Sequence, residues 1–192
     1  MKDVVKTSAL SKQWRYLWTS FSTLSFNGDY AMEVGTRKFI TFVYKALILC
    51  KSPKMEKFVL ILKYSPCFAF DLNIFISFAI QNNVEDLELL LDFRRSKIEC
   101  YRLPQYIYCS SSLKKLKLNC CDVLSILEVK GVPFQLSSCK SLALNTYVNR
   151  WDSPAIASLL RSSPNLETLV INMTPPCGEG VSFPESASHF FP

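Results

Sequence analysis

Leu113-Lys114-Lys115-Leu116-Lys117-Leu118-Asn119-Cys120-Cys121 is the stretch from which the rest of this 192-residue chain can be read. Side chains of an extended strand alternate between two faces. Leu116 and Leu118 therefore point one way, while Lys115, Lys117 and Asn119 point the other. Leu113, three residues ahead of Leu116, covers the turn that leads into the strand. On its own such a stretch predicts no more than a half-buried strand.

The same spacing recurs at Met55/Phe58/Leu60, Val84/Leu87/Leu89, Cys139/Leu142/Leu144 and Leu166/Leu169/Ile171, with a looser copy at Phe21/Leu24/Phe26. The leading residues of successive copies lie 34, 29, 29, 26 and 27 positions apart. Leucine-rich repeats have periods of roughly 20–29 residues and the pattern L-x-x-L-x-L-x-x-N/C, so all but the first interval fit. Cys121 takes the Asn/Cys place, where it would pack inside the turn. Parallel strands need a crossover of a dozen or more residues, and each interval has room for one. The expected fold is α/β: a short right-handed leucine-rich-repeat solenoid of about five or six parallel strands with return helices.

Composition narrows the function. With 49% hydrophobic and 20% charged residues the chain can bury a core. Its net charge of +6 invites an acidic partner, but no block of five or six like charges occurs, which argues against nucleic acid. Eight cysteines come without a C-x-x-C, and the single histidine, His189, lies in the tail. Metal-site spacing is therefore missing, and reduced, buried thiols are expected, together with a cytosolic or nuclear location. No cofactor is expected. The most apolar windows, Phe39–Cys50 and Phe68–Ile80, are too short to span a bilayer, so no membrane partner is expected. A cysteine nucleophile would lack a base, and no glycine-rich phosphate loop exists, so no enzyme activity is expected.

Taken in order, Thr7–Trp18 suits a capped amphipathic helix with Leu10, Trp14, Leu17 and Trp18 on one face. Thr36–Cys50 suits a return helix with Phe39, Phe42, Val43, Ala46, Leu47 and Cys50 inward, ended by Ser52-Pro53. Asp71–Gln81 suits another, with Leu72, Phe75, Ile76 and Ala79 inward and Asn82-Asn83 turning the chain. Leu103–Ser112 is a tighter return, and Cys120–Ser138 is the least readable segment. Asp152-Ser153-Pro154 starts a further helix with Ile156, Leu159 and Leu160 buried. From Thr174 onward, prolines, glycines and serines predict a loose tail.

The run Leu10-Ser11-Lys12-Gln13-Trp14-Arg15-Tyr16-Leu17-Trp18, leading on to Phe26, resembles the end of a plant F-box domain and its junction to leucine-rich repeats. Lys51–Phe58, Phe78–Ile80 with Val84–Leu89, Leu103-Pro104 with Cys109–Leu116, and Ser162–Glu167 are similar to the same family, of the type that carries an FBD module. The resemblance covers residues 7–173. It implies a remnant of the F-box over 1–20, with Leu10, Trp14, Leu17 and Trp18 as its helix face, repeats over 21–173 and a tail over 174–192. It also implies a Skp-type adaptor and a cullin ligase as partners. The family's opening Leu-Pro helix has no counterpart after Met1, so the chain is expected to be a truncated product or a fragment.

The residues between the leucines form a grid on the strands' other face. Its acidic row, Glu85/Asp86/Glu88, adjoins the basic row Lys114/Lys115/Lys117, with Asn119, Lys140 and Asn145 beyond. Opposite charges on neighbouring strands stabilise a sheet, and the same rows can steer a partner. The expected function is a substrate-recognition adaptor resembling the F-box subunit of a ubiquitin ligase, binding a target protein through this concave grid. The alternative is an interaction module or decoy uncoupled from ubiquitin transfer.

Overall fold

The computed structural model describes residues 22–28, 35–50, 54–92, 103–119, 136–146 and 163–173, together with 52, 101, 160 and 161. Within them the repeated apolar comb becomes six strands: β1 (Thr23–Asn27), β2 (Lys57–Lys63), β3 (Asp86–Asp92), β4 (Lys115–Asn119), β5 (Ser141–Thr146) and β6 (Thr168–Met173). They form one sheet, all parallel, in the order β1-β2-β3-β4-β5-β6. The register aligns the comb tooth for tooth. Leu24, Phe58, Leu87, Leu116, Leu142 and Leu169 lie in one row, and Phe26, Leu60, Leu89, Leu118, Leu144 and Ile171 in the next. The looser first copy thus takes its place as a full strand, despite the longer arc after it.

The backbone repeats as strictly as the side chains. Ahead of each of β1 to β5, one carbonyl accepts two N–H groups from the chain entering the next strand. The Ser22 carbonyl takes Glu56 and Lys57, Glu56 takes Glu85 and Asp86, and Glu85 takes Lys114 and Lys115. Lys114 then takes Lys140 and Ser141, and Lys140 takes Glu167 and Thr168. These bonds fix where each coil begins, because a buried N–H left unpaired is costly.

Two return helices cover the comb face. In α1 (Thr36–Leu49) the buried residues are Ile40, Val43, Ala46 and Leu47. Phe42, expected inward, is 41% exposed, while Ile40 is buried in its stead. The ring of Phe42 reaches the core only at its rim, edge-on to Phe26 at 6.1 Å, and Phe39 and Cys50 are partly buried. Gly35, at φ 88, supplies the left-handed residue before this helix. In α2 (Ala69–Gln81), entered through a 3-10 turn at Pro66–Phe68, the inward set is Leu72, Phe75, Ile76 and Ala79, as the spacing predicts. The turn after it places Asn83 at φ 55, and the Asn82 side chain donates to the Phe78 carbonyl at 2.8 Å. Between β3 and β4 the described residues include a 3-10 turn at Gln105–Ile107.

The core lies between the sheet's comb face and these returns. Phe58, Leu60, Phe75, Ile76, Leu87 and Leu89 are within 1% of full burial and belong to one cluster. The lead-in residues Met55, Val84, Leu113 and Cys139 are equally enclosed. In the last rung Leu166 and Leu169 are only partly buried. Leu160, expected inward, is 46% exposed. The expected helix at Thr7–Trp18, most of the segment Cys120–Ser138, the start of the helix at Asp152, the Cys121 position and the tail from Thr174 lie outside the described residues.

Candidate functional site: a charged strip on the open strand face

Alternation that turns the leucines inward turns Lys57/Val59/Ile61, Asp86/Glu88/Leu90, Lys115/Lys117/Asn119, Ser141/Ala143/Asn145 and Thr168/Val170/Asn172 to the opposite face. Parallel register stacks them in rows. Lys57, Asp86, Lys115, Ser141 and Thr168 form one, and Val59, Glu88, Lys117, Ala143 and Val170 the next. The lead-in residues Glu56, Glu85, Lys114, Lys140 and Glu167 flank the strip at the strands' N-terminal ends.

Within this grid the acids of the β3 coil are held from both sides. Glu85 pairs with Lys54 at 2.5 Å and with Lys114 at 2.7 Å. Glu88, 15% exposed, pairs with Lys117 at 2.7 Å and with Lys57 at 3.6 Å. Asp86 pairs with Lys57 at 3.2 Å. The two hydrogen bonds from Lys114 and Lys54 hold the Glu85 carboxyl down at about 2. Those same contacts with Glu85 raise the Lys54 ammonium. Burial works against the charge of Lys57, but its bonds to Asp86 and Glu88 outweigh it and its pKa rises.

The candidate residues do not all join this network. Glu85, Asp86, Glu88, Lys114 and Lys117 do. Lys115 is exposed and, among the described residues, makes no ion pair. Lys140 forms a separate pair with Glu167 at 2.7 Å, beside the contact of the Asn165 amide with the Ser137 carbonyl. Asn145 accepts from the Asn172 amide at 2.7 Å, with Asn119 in register on its other side. Leu10, Trp14, Leu17 and Trp18 lie outside the described residues. Of the candidates' partners, Lys57, Glu167 and Asn172 stand on the grid rows that the repeat spacing gives, and Lys54 does not. The signal for Lys57 was present, since it stands 29 residues before Asp86 as Lys115 stands 29 after it. Lys54 sits ahead of its strand, where strand alternation gives no guide.

Exposed ion pairs contribute little singly, about 0.2–1 kcal/mol, and more as a network. Alternating rows of sign set the register of a partner and speed its approach. Among the described residues no cluster of His, Cys, Asp or Glu could hold a metal ion. No helix among them is long and apolar enough to cross a membrane.

Comparison with known proteins adds the family. An F-box/FBD/LRR-repeat protein of Arabidopsis thaliana is 34% identical over 173 residues, covering 88% of this chain and 39% of that protein. Over nearly nine tenths of its length the chain is similar to plant F-box/leucine-rich-repeat proteins of the FBD type. An FBD-associated F-box protein of the same plant is 33% identical over 171 residues, covering 86% of this chain and 37% of its own length. An Arabidopsis F-box/LRR-repeat protein is 29% identical over 172 residues, covering 89% of this chain and 53% of itself. The chain thus spans about two fifths to half the length of these FBD-type and F-box/LRR relatives. No family model matches it, and no solved structure does.

Proposed function

We propose that this chain is the target-recognition part of an F-box adaptor that presents a protein to a cullin-based ubiquitin ligase, the ligase supplying all the chemistry. On this reading the six rungs are coils of a right-handed leucine-rich-repeat solenoid over residues 21–173, and the open strand face is its concave, target-binding surface. Residues 1–20 contribute the end of the F-box toward a Skp-type adaptor, and the protein acts in the cytosol or nucleus. The observation that carries the proposal is the charged strip, in which three acids of one coil are bracketed by lysines of the coils on either side. A solvated sheet needs no such ordered alternation to fold, whereas a docking surface gains direction from it.

A charge swap separates a folding role from a docking role. Glu88→Lys combined with Lys117→Glu keeps the pair but reverses its polarity. Stability should stay within about 1 kcal/mol of the parent, the contact of Glu88 with Lys57 being the one pairing that the swap turns repulsive, while capture of the target from plant extract is lost. Equal capture by parent and swapped protein would remove the strip from the binding site. Binding of the chain to a Skp-type adaptor in a pull-down tests the ligase half separately.

A further inference from the structure

On the far side of the core from the charged strip, α1 and α2 carry large apolar side chains that the fold does not use. Ile48 is 79% exposed, Phe70 72% and Ile74 36%. Isolated exposed apolar residues are ordinary, but a contiguous group marks an interaction site. These three are contiguous by geometry. Tyr44 marks the seam between the helices, its ring 4.8 Å from that of Phe75 and its hydroxyl donating to Asp71 at 2.7 Å. Ile48 lies one turn beyond Tyr44 on the same side of α1. Phe70 and Ile74 are one turn apart on α2, flanking Asp71.

Among the described residues, the charge carried by these two helices is one-sided. Helix α1 holds Arg37, Lys38 and Lys45, all exposed, and no acid. None of the three makes an ion pair among the described residues. Helix α2 holds a single acid, Asp71, already engaged by Tyr44. Its other exposed polar groups, Asn73 and Gln81, are neutral amides.

We propose that this helical face is a second docking surface, and that its occupant is an acidic amphipathic segment of a partner protein. The segment's apolar stripe covers Ile48, Phe70 and Ile74, and carboxylates along one edge meet Arg37, Lys38 and Lys45. Confinement of the cations to the α1 flank favours such a segment over an anionic membrane, which would reward cations around the whole apolar tip. Because the core separates the two faces, the helical face binds independently of the strip.

The test uses the full chain and a labelled synthetic amphipathic helix about five turns long, with leucines along one stripe and glutamates elsewhere, beside a version with lysines for glutamates. The acidic helix should bind, increasingly weakly as salt rises, and the basic one should not. Arg37→Glu with Lys45→Glu, and separately Phe70→Ser, should each weaken binding about tenfold or more. All three positions are exposed, and unchanged thermal melting verifies folding. The Glu88→Lys/Lys117→Glu swap should leave this binding unchanged, so failure of the strip reading does not touch it. Equal binding of both helices, binding of neither, or variants that bind like the parent would overturn the proposal. So would attachment to vesicles rich in phosphatidylserine without attachment to the peptide, or loss of a self-association in Phe70→Ser with no peptide effect.

Discussion

Glu85 shows how much a single carboxylate can be made to do by its position. Two lysines from different coils donate to it and hold its pKa at about 2, below its ordinary 4.5. A group with a lowered folded pKa stabilises the fold above its unfolded pKa and loses that contribution as pH falls toward the folded value. Thermal melting followed from pH 5 to pH 2 should therefore show a drop over about 4.5 to 2 that is smaller in Glu85→Gln. Gly28 is constrained by space: a β-carbon there would lie 2.9 Å from the Ile61 carbonyl oxygen, whose hydrogen bond Gly28 N–H makes at 2.6 Å. Gly28→Val should lower the melting temperature by forcing β1 and β2 apart at that end. Side-chain alternation in the sequence announced the charged rows residue by residue. It could not announce Lys54, because pairing across a turn depends on where the turn sends the backbone.

At the scale of elements, α2 and α1 differ in how plainly they can be read. In α2 the polar residues Asp71, Asn73, Ser77 and Gln81 mark one side, so Leu72, Phe75, Ile76 and Ala79 stand out as the other. Ala79 is fully enclosed, and Ala79→Leu should cost about 1–3 kcal/mol by overpacking, measured by urea unfolding. In α1 the apolar residues run through Phe39-Ile40 and Phe42-Val43, and the periodicity alone does not choose between Ile40 and Phe42. The choice falls to shape: the Ile40 side chain fits beneath the helix, while the Phe42 ring is left at its margin against Phe26. The seam between the helices rests on Tyr44, whose hydroxyl pKa is pushed up to about 12 by burial and by Asp71. Tyr44→Phe should cost roughly 1–2 kcal/mol, as expected for a lost hydrogen bond to a charged group. The same unfolding measurement checks it.

For the molecule as a whole, spacing carried most of the information. A comb repeated every 26 to 34 residues dictates parallel strands in sequential order, and the register follows from its teeth. What the spacing left open is the form of each return, helical after β1 and β2 and, among the described residues after β3, a 3-10 turn, since many backbones of similar reach cover the same leucines. Strands paired in sequential order draw stability from their neighbours in the sheet, so protection should not be uniform. Amide hydrogen exchange is expected to be slowest in β2–β4, where the comb is enclosed, and faster in β6, where Leu166 and Leu169 are partly open. Equal rates across the sheet would contradict this nearest-neighbour picture. The doubly used carbonyls ahead of β1 to β5 have one more consequence. They anchor each tread of the staircase to the tread below, irrespective of the length of the landing between. Insertions and deletions gathered in the landings then leave every outward side chain at its own address, so such a protein can drift in length while the surface it shows to others keeps its pattern.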